Sequence, residues 1–317
     1  NDPAAAVAAR DKAVMRRMLG AGGVAVPWFR EYTTADDPAV VSAEAPYPCV
    51  VKPVNLNGSR GVMRADSPSR LISAIERLTR LITTDNPDPR PYLVEEYLPG
   101  VEVALEGMLN RGALTVLALF DKPDPLEGPF FEETIYVTSS RLPVGIQTAI
   151  EATTAAAARA LGLVSGPIHA ELRINEGGVW IIEIAGRSIG GLCSQVLRFG
   201  VDASLEELIV RQAAGLSLGD TTRSDRAAGV MMIPIPEAGL LREVIGVDEA
   251  AAIPLIESVE ITARLNYPLV PLPEGDSYLG FIFARGETPE AVESALRQAH
   301  ERLKFRIDTL LPIFSLQ

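Results

Sequence analysis

Cysteine is scarce in this chain: only Cys49 and Cys193 occur among 317 residues, too few for a disulfide framework and in keeping with a reducing compartment. Positive charge is also short, with 29 Lys and Arg against 41 Asp and Glu, a formal balance of -12. Such a field attracts no polyanion. It excludes a general nucleic-acid or anionic-membrane binder, though not a local phosphate pocket. No apolar run reaches the length that spans a bilayer, and no signal peptide is visible. Internal repeats are lacking, low complexity is confined to one alanine-rich stretch, and neither a Walker loop nor a dinucleotide fingerprint occurs. What remains is a cytoplasmic globular chain whose 47% hydrophobic content suffices for two or three lobes. Because Asn1 rather than Met comes first, a native N-terminus is expected ahead of it.

Helical patterns cover Asp11 to Ala21, capped by Asp11 and closed by glycines, then about Ser69 to Leu81, 144–161, 204–214 and Pro289 to about Lys304. Strand patterns cover Cys49 to Pro53, Tyr92 to Leu98, 101–109 and 113–120 around the turn Asn110-Arg111-Gly112, and 227–235, 256–264 and 278–284. Asp85 to Pro91 reads as a proline-rich hinge, and 123–133 as an acidic loop.

The chemistry concentrates in a hairpin. IHAELRI (168–174) and VWIIEI (179–184) flank Asn175-Glu176-Gly177-Gly178, and each carries one acid, Glu171 and Glu183. Carboxylates among apolar neighbours are costly to bury without a cation, and Mg²⁺ takes one or two of them plus phosphate oxygens. Alternation puts His169, Glu171 and Arg173 on one strand face, and Val179, Ile181 and Glu183 on one face of the next. For both acids to meet one ion, the hairpin needs an odd-length loop or a bulge, which Gly177-Gly178 is placed to supply. A two- or four-residue loop alone would separate them.

Lys52 ends a buried strand, and Asn57, Gly58, Ser59 and Gly61 follow as a small-residue loop able to approach phosphate oxygens. Glu95-Glu96-Tyr97-Leu98-Pro99-Gly100-Val101-Glu102 is a strand end that offers main-chain groups to a planar base and a carboxylate to ribose hydroxyls. Arg187, in the loop after the hairpin, is within reach of a phosphoryl group. His169 reads equally as a hydrogen-bonded core histidine, and His300 as a surface residue of the last helix.

In order, Asp11-Lys12 with Arg16, Val51-Lys52-Pro53, the small loop, Val94-Glu95-Glu96-Tyr97-Leu98 with Glu102, and Glu171, Glu183 and Arg187 resemble an ATP-grasp carboxylate–amine ligase. Phe120-Asp121-Lys122-Pro123, Phe130-Phe131-Glu132-Glu133-Thr134, Gly166-Pro167-Ile168-His169-Ala170-Glu171 and Tyr278-Leu279-Gly280 are similar to the bacterial L-amino-acid ligases, the dipeptide synthases. The resemblance implies an α+β fold of two lobes gripping ATP, with an appended C-terminal α+β region. It divides the chain into a leading helix and linker (1–23), a small lid subdomain (24–93), a large subdomain with the metal hairpin (94–215) and a C-terminal lobe (216–317). It also implies a further domain ahead of the Asp-Lys segment, which this sequence lacks.

By the same resemblance, Lys12, Lys52 and Lys122 hold phosphates with the Gly58–Ser59 loop, and Glu95 receives the adenine amino group. Glu96, Tyr97 and Leu98 line the base, with main-chain groups of Glu96 and Leu98 facing it, and Glu102 binds ribose. Glu171 and Glu183 ligate one or two Mg²⁺ ions (Mn²⁺ the alternative), Arg187 stabilises an acyl phosphate, and His169 lies beside the acceptor. The partners implied are small carboxylate and amine substrates, amino acids foremost, with no nucleic acid and no membrane; a homodimer is compatible. One departure bears on the metal count: Ala185 stands where the family commonly has Asn. Two rivals stay open, a biotin-carboxylase-like enzyme activating bicarbonate and an ATP-binding module without catalysis.

Overall fold

A computed structural model describes residues 1–84 and 88–309. The first part of the expected hinge, 85–87, lies outside the described residues. Two helices lead, α1 (Pro3–Arg10) and α2 (Lys12–Ala21). Asp11 caps α2 by accepting from the N–H groups of Ala13 and Val14, both at 2.9 Å. The buried face of α2 carries Lys12, Ala13, Met15, Arg16 and Leu19, so a lysine and an arginine enter the interior beside apolar side chains.

The small lobe is a four-stranded antiparallel sheet ordered β1-β4-β2-β3, built from β1 (Phe29–Thr33), β2 (Cys49–Pro53), β3 (Met63–Ala65) and β4 (Pro91–Glu96). Helices α3 (Pro38–Glu44) and α4 (Pro68–Ile82) pack on it. Every residue of β2 is buried, which brings Lys52 inside with it. The sheet runs to Glu96, past the boundary expected at 93.

Next come β5 (Val101–Asn110), β6 (Ala113–Asp121), β7 (Ile135–Thr138), α5 (Val144–Leu161), β8 (Gly166–Asn175), β9 (Gly178–Ala185), a 3₁₀ turn at Cys193–Val196 and α6 (Leu205–Ala213). The C-terminal part adds β10 (Ala227–Ile233), β11 (Gly239–Ile245), α7 (Val247–Ala251), β12 (Ile256–Ile261), β13 (Pro268–Leu269), β14 (Gly280–Gly286), α8 (Pro289–Arg302) and β15 (Lys304–Asp308). Eight strands form one sheet, β12-β14-β10-β7-β6-β5-β8-β9, so the boundary expected at 215 falls between strands of a single sheet. Lys304 opens β15 rather than closing the last helix, and His300, expected at the surface, is half-buried on α8.

One face of β5, β6, β8 and β9 packs Val103, Leu105, Leu119, Ile168, Ala170 and Leu172 against α1, α2 and α5. Strict alternation therefore turns Glu102, Glu106, His169, Glu171 and Arg173 to the opposite face. Antiparallel register sets Glu102 across from Arg173 and Glu106 across from His169, so acid meets base twice. Gly100 makes the entry to β5 feasible: its φ is +126°, and a Cβ there would lie 2.2 Å from the Ile174 carbonyl oxygen. Gly100→Ala is expected to destabilise by at least about 2 kcal/mol, read as a lowered midpoint in urea.

The small lobe is docked onto the C-terminal region. Gly61 donates to the Pro273 carbonyl at 2.8 Å, and the Arg60 Nε to that of Glu274 at 2.8 Å. Arg77 grips the Glu274 carboxylate with two bonds of 2.5 and 2.8 Å.

Candidate active site

A cleft between the two sheets is lined from one side by Lys12, Lys52, Asn57, Gly58, Ser59 and Glu95, and from the other by His169, Glu171, Arg173 and Glu183. The hairpin settles the geometric test posed by its sequence. Asn175 pairs with Gly178, leaving a two-residue loop, Glu176-Gly177, which by itself would put the acids on opposite faces. The register then shifts: Leu172 faces Ile181, yet Glu171 faces Glu183. Ile182 is the extra residue of a bulge. Gly178 does adopt a positive φ, +118°, but the bulge is four residues beyond it, not at Gly177-Gly178. Nor do Val179, Ile181 and Glu183 share a face. Val179 and Ile181 pack in the core with Ile184, and only the bulge turns Glu183 into the cleft.

Lys12 ties the two walls: its ammonium donates to the Leu56 carbonyl at 2.7 Å and lies 3.1 Å from a Glu183 oxygen. Lys52 and Arg16 share Glu95, Lys52 through a short bond and Arg16 Nε at 2.9 Å. The partners of this network shift differently. Burial pushes the Glu95 carboxyl up, but Arg16 and Lys52 together override it and bring it to about 2. Burial lowers Lys52, and despite Glu95 the nearby Arg16 and Lys12 charges help bring it to about 8. A phosphate beside Lys52 favours its charged form, so above pH 8 binding takes up a proton and affinity falls as pH rises. Calorimetric titration of ADP between pH 7 and 9.5 is expected to show weakening that approaches about tenfold per unit above pH 8, whereas an affinity that does not move would count against Lys52 as a phosphate ligand.

Deeper in the cleft, oxygens of Glu102, Glu133 and Glu171 lie within 4.8 Å of one another. The Lys122 ammonium bonds Glu102 at 2.8 Å, Glu133 at short range, and stands 3.6 Å from Glu171. Burial disfavours charge on Lys122, yet these three carboxylates raise its pKa well above the usual value. Glu133 is raised by burial, with Lys122 opposing, while Glu171 falls well below its ordinary value because Lys122 and His169 override the burial penalty. Hard oxygen donors this close are the chemistry that suits Mg²⁺, so the acids present fit such an ion. Glu183 stands outside this trio among the described residues, turned to Lys12.

His169 lies between Glu106, to which its Nδ1 makes a short bond, and Glu171, 3.4 Å from its Nε2. Burial opposes the charged ring, but Glu106 above all holds it at about 10, so it is an imidazolium at neutral pH. The second Glu106 oxygen accepts the Ile189 N–H at 3.1 Å, anchoring the loop that carries Arg187. Exposed Arg187 lines both the cleft and an adjoining cavity of about 680 Å³. That cavity is also lined by Glu133, His169 and Glu171, by Arg264 and Asp276, and by Tyr136, Cys193, Met232, Tyr278 and Phe281.

The residues nominated from sequence line the cleft except Lys122, which is buried among the acids it neutralises, Arg16, which is wholly buried, and Gly61, whose N–H is taken by the Pro273 carbonyl. The Glu102 oxygens are engaged by Lys122 and by Arg173 Nε at 2.7 Å. Of the main-chain groups expected to face a base, the Glu96 N–H donates to the Trp28 carbonyl at 2.9 Å and the Leu98 carbonyl accepts from Arg173 at 2.7 Å. Tyr97 is packed under Arg64, whose guanidinium carbon is 4.2 Å from the ring centre. Sequence reasoning missed Glu106, Glu133 and Arg173 as parts of the site. The matching spacing of Glu102 and Glu106 with His169 and Arg173 was the available signal for two of them.

Two α+β lobes closed on a cleft of lysines and carboxylates make an ATP-grasp fold, and residues 45–196 match the family model of the ATP-grasp domain. Residues 231–308 match the model of the L-amino acid ligase C-terminal domain 2. The solved L-amino acid ligase from Bacillus licheniformis is 26% identical, with a TM-score of 0.78 over 96% of this chain and 74% of that one. A protein of Sinorhizobium fredii named y4rH is 26% identical over 96% of this chain and 63% of its own length. Alanine–anticapsin ligase of Bacillus subtilis is 23% identical over 98% of this chain and 72% of its own. The chain thus spans less than two thirds of the length of the Sinorhizobium fredii relative. Among the described residues no helix is long and apolar enough to cross a membrane.

Proposed function

We propose that the chain is the ATP-binding and catalytic part of a cytoplasmic carboxylate–amine ligase acting on amino acids. The observation that carries this reading is the pairing of Glu171 with Glu183 across a bulged hairpin, opposite Lys12 and Lys52 and beside a second cavity. In the first step a substrate carboxylate oxygen attacks the γ-phosphorus of ATP and ADP leaves, giving an acyl phosphate. An amine nitrogen then attacks the carbonyl carbon, loses a proton, and phosphate departs.

Lys12 and Lys52 would hold phosphate charge, and Glu171 and Glu183, with Glu133 beside them, would ligate Mg²⁺ or Mn²⁺. Such an ion, when bound, neutralises phosphate oxygens. Arg187 would meet the acyl phosphate from the shared edge of the two cavities. The imidazolium of His169 holds the Glu171 carboxylate in place rather than accepting a proton. The docked small lobe excludes water, which would hydrolyse the activated acid.

The test is phosphate release across paired amino acids, with mass spectrometry of the product. A peptide or amide product formed with ADP is expected. ATP consumption with bicarbonate and no amine would favour the biotin-carboxylase alternative, and nucleotide binding without phosphate release an inactive module. The L-amino acid ligase C-terminal domain supports the first reading.

A further inference from the structure

Arg16 is wholly buried, and its guanidinium makes four contacts that span the cleft. Nη1 donates to the Ile181 carbonyl at 2.8 Å and Nη2 to that of Ile182 at 3.0 Å. Nε and Nη2 reach the two oxygens of Glu95 at 2.9 and 3.3 Å. In a regular strand, successive carbonyls point to opposite sides. Here two consecutive ones converge on a single side chain, as the bulge at Ile182 requires.

Those carbonyls sit where no water reaches the guanidinium. Unpaired, each would cost about 1–3 kcal/mol, and a regular strand would avoid that cost by turning Glu183 toward the core. The rigid fork of an arginine satisfies both and still grips a carboxylate, which a lysine ammonium cannot do in the same geometry. The second grip matters as much as the first. Glu95 belongs to β4 of the small-lobe sheet, whereas Ile181 and Ile182 belong to β9 of the large one. Both sheets are therefore registered against each other through one side chain.

We propose that Arg16 is a positioning residue that holds the bulge open and fixes Glu183 relative to Glu95 and Lys52, so that metal and nucleotide are bound as one unit. The proposal rests on the nucleotide–metal reading of the cleft. Neither Arg16 nor its partners on β9 need touch substrate for this role.

The experiment compares R16K with the unmodified chain by calorimetric titration of ADP, with and without saturating Mg²⁺, alongside thermal melting. R16K is expected to bind ADP alone within a few-fold of the parent, while the tightening produced by Mg²⁺ shrinks by about 10- to 100-fold. Should R16K not fold, R16Q replaces it, since it leaves Glu95 paired with Lys52 and can still donate to one carbonyl. A lowered melting temperature with the Mg²⁺ increment intact, or equal weakening with and without Mg²⁺, would make Arg16 a staple of the fold and overturn the proposal. If the unmodified chain gains no ADP affinity from Mg²⁺, the reading of the cleft falls and the proposal with it.

Discussion

Glu183→Gln is expected to reduce ATP-dependent phosphate release by at least about 10²- to 10³-fold while the protein melts within a few degrees of the parent. The amide keeps the size of the side chain and leaves the bulge untouched, because the bulge is held by the carbonyls of Ile181 and Ile182 and by the core positions of Ile181 and Ile184. What is lost is one negative charge, 3.1 Å from Lys12. Glu183 is part-exposed and Lys12 keeps the Leu56 carbonyl, so the cost to folding is on the order of 1 kcal/mol. The loss of a hard anionic donor for a divalent ion is of a different order. Glu171→Gln would be less clean, since it also removes a partner of His169 and of Lys122. Turnover in the Glu183→Gln protein at the parental rate would remove the hairpin from the chemistry and the ligase reading with it.

How much of this site the sequence discloses depends on whether a feature is local. Asp11 as a cap, the turn at Asn110-Arg111-Gly112, the helix at 144–161 and the inward face of β8 are all written in neighbouring residues, and the structure has each of them. The bulge is not. Apart from Glu183, VWIIEI is wholly apolar, so its pattern carries no period from which a change of face can be read, and the double glycine offers a nearer but wrong location. What decides the matter is tertiary: Arg16, more than a hundred and fifty positions away, supplies the donors that the bulge needs. Glu133 was invisible for a related reason. It precedes β7 in an acidic loop, and only the order β7-β6-β5-β8 brings it beside Glu102 and Glu171. The short strands β11, β13 and β15 form a separate three-stranded sheet whose pairings are all between distant segments, and none of them stood out beforehand.

Lys122→Met is expected to be the most damaging single change to stability, because it removes the buried ammonium that Glu102, Glu133 and Glu171 share, with Arg173 remaining for Glu102 and His169 for Glu171. Breaking such an arrangement costs about 3–5 kcal/mol, a fall in melting temperature of roughly 4–8 °C for a chain of this size. The pH dependence should steepen as well. In the parent, Glu171 is held below its ordinary pKa, so its contribution is present above that ordinary value and is lost only as acid protonates the folded state. Lys122 is raised, and its contribution is lost only above the ordinary lysine value. Glu133 is already raised by burial, so the parent cluster itself gives a shallow rise in stability as pH falls toward 5. Without the ammonium nothing from Lys122 opposes the burial that raises Glu133, so the folded state holds its proton more tightly and stability rises more steeply as pH falls from 7 to 5. Melting curves across that interval, with and without Mg²⁺, separate the explanations. A divalent ion can replace the missing charge among oxygens within 4.8 Å of one another, so Mg²⁺ should raise the melting temperature of Lys122→Met more than that of the parent. A variant that melts like the parent at every pH, indifferent to Mg²⁺, would mean that the three acids do not burden one another. The ammonium would then be packing rather than the counter-ion that keeps a cation site intact before its ion arrives.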